Sequence, residues 1–193
     1  MLKAAIRTCL CISVLAGCSS ITPAGLGAAI RLDPVGTPPG DLTVAVSVPD
    51  ALGLRDGDAE FRLAFVPDDP NAADPVNVTV PLNIREGTTG PRTAAADEAI
   101  YVLGFSAQNA DLIAAAQDRI KALKDQQIAG NGQLSITVEG GCLKRSLDGR
   151  LPVSTWLRTD PEAGFVPLTR RVDLFDALPR EERAQLEAKL VPC

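Results

Sequence analysis

The side chains able to do chemistry are few, and acids dominate them. Asp56, Asp58 and Glu60 alternate along Asp56-Gly57-Asp58-Ala59-Glu60, and Asp68 and Asp69 stand side by side shortly after. Two carboxylates facing one cleft can divide general acid and base work on a glycosidic bond, and several together can hold Ca²⁺. The alternating set departs from a calcium loop of the EF-hand kind, because Phe61 stands where that loop needs glycine. Aspartate also forms turns by bonding to nearby backbone, and that is the preferred reading of these residues. The chain has no histidine, which removes His-dependent triads, Cys-His dyads, histidine metal sites and the usual acid/base at neutral pH. Ser-x-x-Lys, the phosphate-binding G-x-x-x-x-G-K-[ST] loop and G-x-G-x-x-G are missing as well. These residues point away from an enzyme, and no catalytic residue, cofactor or metal ligand is assigned.

The cysteines carry more. Of five, Cys9, Cys11 and Cys18 crowd the start of the chain. Lys3 and Arg7 precede an apolar run from Thr8 to Val14, and Leu15-Ala16-Gly17-Cys18 follows it. A charged start, a short apolar run and then small residues form the layout of a secretory signal. Leu15-Ala16-Gly17-Cys18 resembles the lipobox of bacterial lipoproteins at all four positions. The resemblance implies that residues 1–17 are a signal peptide cut between Gly17 and Cys18, with a diacylglycerol thioether on Cys18 and an acylated new N-terminus. Each buried methylene contributes about 0.8 kcal/mol, so one chain binds marginally and two or three anchor stably. In lipoproteins of this kind Ser19, where aspartate would mark inner-membrane retention, implies the outer membrane, on its periplasmic side. The bilayer, held through acyl chains on Cys18, is the first expected partner.

With Cys18 lipidated and Cys9 and Cys11 lost with the signal, Cys142 and Cys193 remain. An even pair in an oxidising compartment reads as a disulfide. It would close a loop of about 52 residues, for which the chain-entropy account gives roughly 4 kcal/mol. A reactive thiol at Cys142, with Lys144 and Arg145 nearby to lower its pKa, is the alternative.

Cleavage would leave 176 residues, enough for one domain with its own core. That chain carries 17 basic and 24 acidic residues, a net charge of −7, with no run of Lys or Arg. Such a balance gives no electrostatic footprint for nucleic acid. Residues 18–40, with Pro23, Pro34, Pro38 and Pro39, read as a lipidated N-terminus and tether, and 41–193 as one periplasmic domain. Within the tether, Ala28-Ala29-Ile30-Arg31-Leu32 alternates as a first edge strand would.

The remaining elements are mostly strands. Leu42 to Val48, Glu60 to Phe65 and Val76 to Ile84 all alternate apolar with polar, the mark of strands with one face buried. Pro81 cannot donate to a ladder, so the third of these lies at an edge or is bulged there. Ala99 to Phe105 is apolar on both faces and reads as a central strand. A stripe of Leu112, Ala116, Ile120 and Leu123 predicts a helix capped by Asn109, with Gln117, Lys121, Lys124 and Asp125 toward solvent and Gly130 past its end. Lys121 and Asp125 are spaced to pair. Leu134 to Val138 resumes the strands, Leu151 to Arg158 and Phe165 to Val172 form a hairpin, and Pro179 opens a terminal helix. The expected fold is mainly β: an antiparallel, sandwich-like domain with one inserted α-helix and a short C-terminal helix. Residues 85–98 read as a loop, disordered in the blander view and functional in the other.

Trp156 lies on the strand face opposite Val153 and Leu157. It reads as a core residue or, if that face is open, as a contact patch with Arg158 and Arg170. The function expected is non-catalytic, an adaptor or structural lipoprotein binding an as yet unidentified envelope protein. The alternative is a ligand-binding lipoprotein with its pocket between sheet and helix.

Overall fold

The computed structural model describes residues 33–85 and 90–193. The lipobox-like stretch, Cys18 and the strand expected at 28–32 lie outside the described residues. Two sheets face each other. The larger has the order β10-β9-β1-β6-β5, from β1 (Thr43–Pro49), β5 (Asn83–Ile84), β6 (Glu98–Gly104), β9 (Pro152–Arg158) and β10 (Val166–Asp173). The smaller has the order β4-β3-β7, from β3 (Ala59–Pro67), β4 (Val76–Pro81) and β7 (Gly130–Val138). All their pairings are antiparallel. The domain is mostly β and sandwich-like, as the alternation predicts.

Alternation explains the core. Val44, Val46 and Val48 on β1 face Phe61, Leu63 and Phe65 on β3, and all are buried in one cluster with Val80, Leu103, Ile136 and Leu157. Phe61 also meets Phe105 edge to face, with ring centroids 5.1 Å apart. Pro81 does end an edge strand, β4. Leu82 N then donates to Ala59 O, and the chain crosses to the other sheet as β5. That crossing closes one flank of the sandwich. The opposite flank runs between β7 and β10.

The inserted helix, α1 (Ala107–Asp125), joins the two sheets and packs chiefly along β4. Its details differ from expectation. Ser106, not Asn109, is the N-cap, its hydroxyl accepting from Asn109 N at 3.2 Å. Asn109 instead donates through Nδ2 to Pro81 O. The buried face is Ile113, Ala116, Gln117, Ile120 and Leu123, while Leu112 is 49 % exposed. Gln117 is turned inward because Nε2 donates to Pro34 O at 2.7 Å and to Thr37 O at 2.8 Å. It thereby fixes the 33–40 segment, the end of the expected tether, against the helix. Lys121 meets Asp118 rather than Asp125. Past the helix Gln127 takes the left-handed backbone (φ 59°), and Gly130 opens β7. Gly130 is required there by closeness: a Cβ would lie 2.5 Å from Val66 O.

The chain ends in two short helices, α2 (Leu174–Ala177) and α3 (Arg180–Lys189), and β11 (Leu190–Pro192). β11 joins β8 (Gly141–Leu143) in parallel, and β2 (Leu52–Gly53) takes the other side of β8. Cys142 on β8 and Cys193 after β11 are disulfide-bonded, with S–S 2.09 Å and Cα–Cα 4.8 Å. The bond pins the last residue to this small sheet beside Gly53. No helix among the described residues is long and apolar enough to cross a membrane.

Candidate functional site

The acids that sequence singled out do not converge. Asp56 Oδ1 accepts from Ile84 N at 2.6 Å, holding the turn before β3 against β5. Asp58 accepts from Arg55 N and pairs with the Arg55 guanidinium. Asp69 caps Asn71 N, and Asp68 accepts from Asn131 Nδ2 across to β7. Among the described residues no three acids or cysteines gather at metal-ligand distance. Asp58 and Asp69 are satisfied within their own turns, and Asp56 and Asp68 fasten their turns to neighbouring strands.

The three residues grouped as a contact patch are separated by what covers them. Trp156 is 8 % exposed and sits on the outer face of the larger sheet with Ala45 and Val102. Arg92, from the stretch after residue 89, lies over its ring at 5.6 Å to the centroid. Arg158 lies over Phe165 at 4.9 Å and donates to Thr43 Oγ1, while its Nε is buried without a hydrogen-bond partner among the described residues. Arg170 alone of the three is exposed. Residues 90–98 are thus a strap across the outer face rather than the disordered loop of the blander expectation.

Glu98 holds that strap. Its carboxylate accepts from the Ser47 hydroxyl, from Arg92 at 2.6 Å and from Ala95 N, with its side chain 7 % exposed. Burial pushes the carboxyl up, but the Ser47 and Arg92 bonds outweigh it and hold Glu98 below its ordinary value. Sequence gives no sign of this residue's role, because its partners lie on β1 and on the loop. Close by, a polar recess of about 340 Å³ is lined by Asp50, Arg145, Arg150, Arg171 and Asp173. The Arg145 hydrogen bond draws Asp50 below the usual carboxylate range, and Asp50 in turn raises Arg145. Asp173 accepts from Leu151 N and caps α2. Arg171, where β10 shifts register, has a left-handed backbone (φ 47°) and donates its N–H to Ser154 Oγ.

A second opening among the described residues is apolar. A groove of about 680 Å³ lies on the open flank, between β7 and β10. Leu63, Phe65, Leu134, Ile136, Leu157 and Leu168 line it, and Ile120 and Lys124 of α1 border it with Asp33, Pro34 and Val35. It is the counterpart of the pocket expected between sheet and helix, but both sheets build most of it. Apolar walls with a few hydroxyls (Ser135, Thr155, Thr169) suit an aliphatic occupant or an extended peptide.

No family model, curated protein or solved structure matches the chain.

Proposed function

We propose that this chain is a bacterial envelope lipoprotein, held through acyl chains on Cys18 at the periplasmic side of the outer membrane. Its β-sandwich positions an envelope protein partner there and catalyses no reaction. The observation that carries the non-catalytic half is the engagement of the acids. Asp56, Asp58, Asp68, Asp69 and Glu98 each already accept from a backbone amide or a side-chain donor. A hydrolytic pair needs two free carboxylates facing one water-filled cleft, and in the polar recess Asp50, Glu98 and Asp173 are each held by an arginine or a backbone amide. The exported half draws on Leu15-Ala16-Gly17-Cys18 together with the Cys142–Cys193 bond, which an oxidising compartment sustains.

The test is membrane fractionation with in-cell crosslinking and affinity capture, using the wild type and Cys18→Ala. The wild type is expected in the outer-membrane fraction with one envelope complex enriched, and Cys18→Ala to lose both. A Cys18→Ala protein still in the membrane fraction defeats the anchor, and capture of nothing protein-like defeats the adaptor role. A second reading, a ligand-binding lipoprotein, is favoured by one observation, the apolar groove. Retention of an apolar small molecule through purification would support it.

A further inference from the structure

The polar recess on the larger sheet carries charges that the domain itself does not use. Among the described arginines only Arg150, Arg170, Arg171 and Arg180 have a guanidinium with no hydrogen bond, ion pair or ring contact. The chain holds 24 acidic residues to 19 basic ones, so these four do not lack partners for want of acids. Two of them, Arg150 just before β9 and Arg171 on β10, line the recess.

The backbone is shaped locally to bring Arg171 there. Thr169 pairs with Thr155 and Val172 with Val153, so Arg170 and Arg171 together oppose Ser154 in a bulge. Arg171 takes the left-handed backbone, φ 47°, which a long side chain rarely adopts. Ser154 Oγ holds its N–H at 2.9 Å, and Ser154 lines the recess too. Bulges re-aim side chains beside binding sites, and backbone strain of this kind persists only where its surroundings fix it.

Five carboxylates line the recess with three arginines, so a simple inorganic anion would meet a net negative wall. Four of the five are answered. Arg145 pairs with Asp50, Arg92 with Glu98, and the Leu151 and Phe175 amides donate to Asp173. Asp148 helps Arg145 hold its proton. Asp97, exposed at the start of β6, has no side-chain partner among the described residues. The sheet order β10-β9-β1-β6 sets Arg171 on one side and Asp97 on the other, with β9 and β1 between them. Unused positive charge therefore lies across from unused negative charge.

We propose that this recess binds a small zwitterion of amino-acid or dipeptide size, its carboxylate between Arg150 and Arg171 and its ammonium on Asp97. Guanidinium forks match a carboxylate through paired N–H bonds. The recess, about 340 Å³, lies near the lower end of the range for ligand sites, as a small ligand requires. Neither the lipid anchor nor the adaptor role enters this assignment.

Calorimetry and amide NMR shifts on the purified full-length protein test it, with glycylglycine as the probe. Saturable shifts are expected at 97–98, 145–154 and 171–173. Glycylglycinamide has no carboxylate and N-acetylglycylglycine no ammonium, so each should bind at least about tenfold more weakly. Arg150→Gln with Arg171→Gly should abolish the shifts; glycine suits the left-handed backbone at 171, and circular dichroism checks the fold. Asp97→Asn should bind glycylglycine no better than the acetylated probe, while Arg180→Gln leaves affinity unchanged. No shift at about 20 mM glycylglycine would overturn the proposal. So would equal binding of the three probes, or binding that survives the double substitution. Inorganic phosphate binding more tightly than the dipeptide would make this a plain anion site and overturn it too.

Discussion

Replacing Glu98 with Gln should loosen the strap over Trp156. The wild-type carboxylate accepts from Ser47, Arg92 and Ala95 N with its side chain 7 % exposed. Hydrogen bonds to a charged group contribute about 1.5–3 kcal/mol each, and removing one partner of a buried ion pair costs about 3–5 kcal/mol. Arg92 is 42 % exposed, so its freed guanidinium rehydrates in part, and the amide still accepts from Ser47. The net cost is then about 2 kcal/mol, or a fall of roughly 4–8 °C in midpoint for a domain of this size. Trp156 is the only tryptophan, and Arg92 lies over its ring. Urea titration followed by its emission therefore reads stability and strap together, and the native emission of Glu98→Gln should shift to the red. The effect also has a pH signature. Glu98 is held below its ordinary value of 4.5 when folded, so its contribution is present above that pH and is lost as pH falls through the folded value. The gap between wild type and Glu98→Gln should be full at pH 7 and shrink steadily below pH 4.5. A gap that stays constant into acid, or an unchanged emission maximum, would refute the reasoning.

Two further outcomes test the frame around the groove. Cys193→Ser should lower stability by up to about 4 kcal/mol in urea titration, because the released loop spans 51 positions of sequence; reductant should do the same to the wild type and nothing more to the variant. Gln117→Leu removes the donor to two carbonyls on the 33–40 segment. It should cost about 1–3 kcal/mol and speed exchange or proteolysis at 33–37 before the sandwich itself opens.

The strands were legible in the sequence wherever one face is wet. Phe61, Leu63 and Phe65 against Glu60, Arg62 and Ala64 place β3 correctly, as Val76, Val78 and Val80 place β4. The helix was legible as a helix but not in its rotation. Ala-rich stretches tolerate several apolar stripes, and a stripe beginning at Leu112 differs by one residue from the buried one beginning at Ile113. Gln117 was misplaced for a related reason. Glutamine at a helix surface looks solvent-directed until a carbonyl from elsewhere needs its amide.

Sequence alone determined the class of fold, through period-two alternation, and it offered Cys142 and Cys193 as the expected pair, which the structure joins. It also determined what the chain lacks, since an absent histidine is absent from any fold. Tertiary structure alone decided which groups meet. Ser47, Trp156 and the strap that carries Arg92 and Glu98 come from three separate places in the chain and converge because β1 lies between β6 and β9. The groove too is a tertiary fact. It exists because the β4–β5 crossing closes one flank of the sandwich and leaves β7 and β10 on the other. Local patterns encode which face of a strand is buried; which strand edges are left unpaired depends on the order in which strands assemble, and that order is non-local.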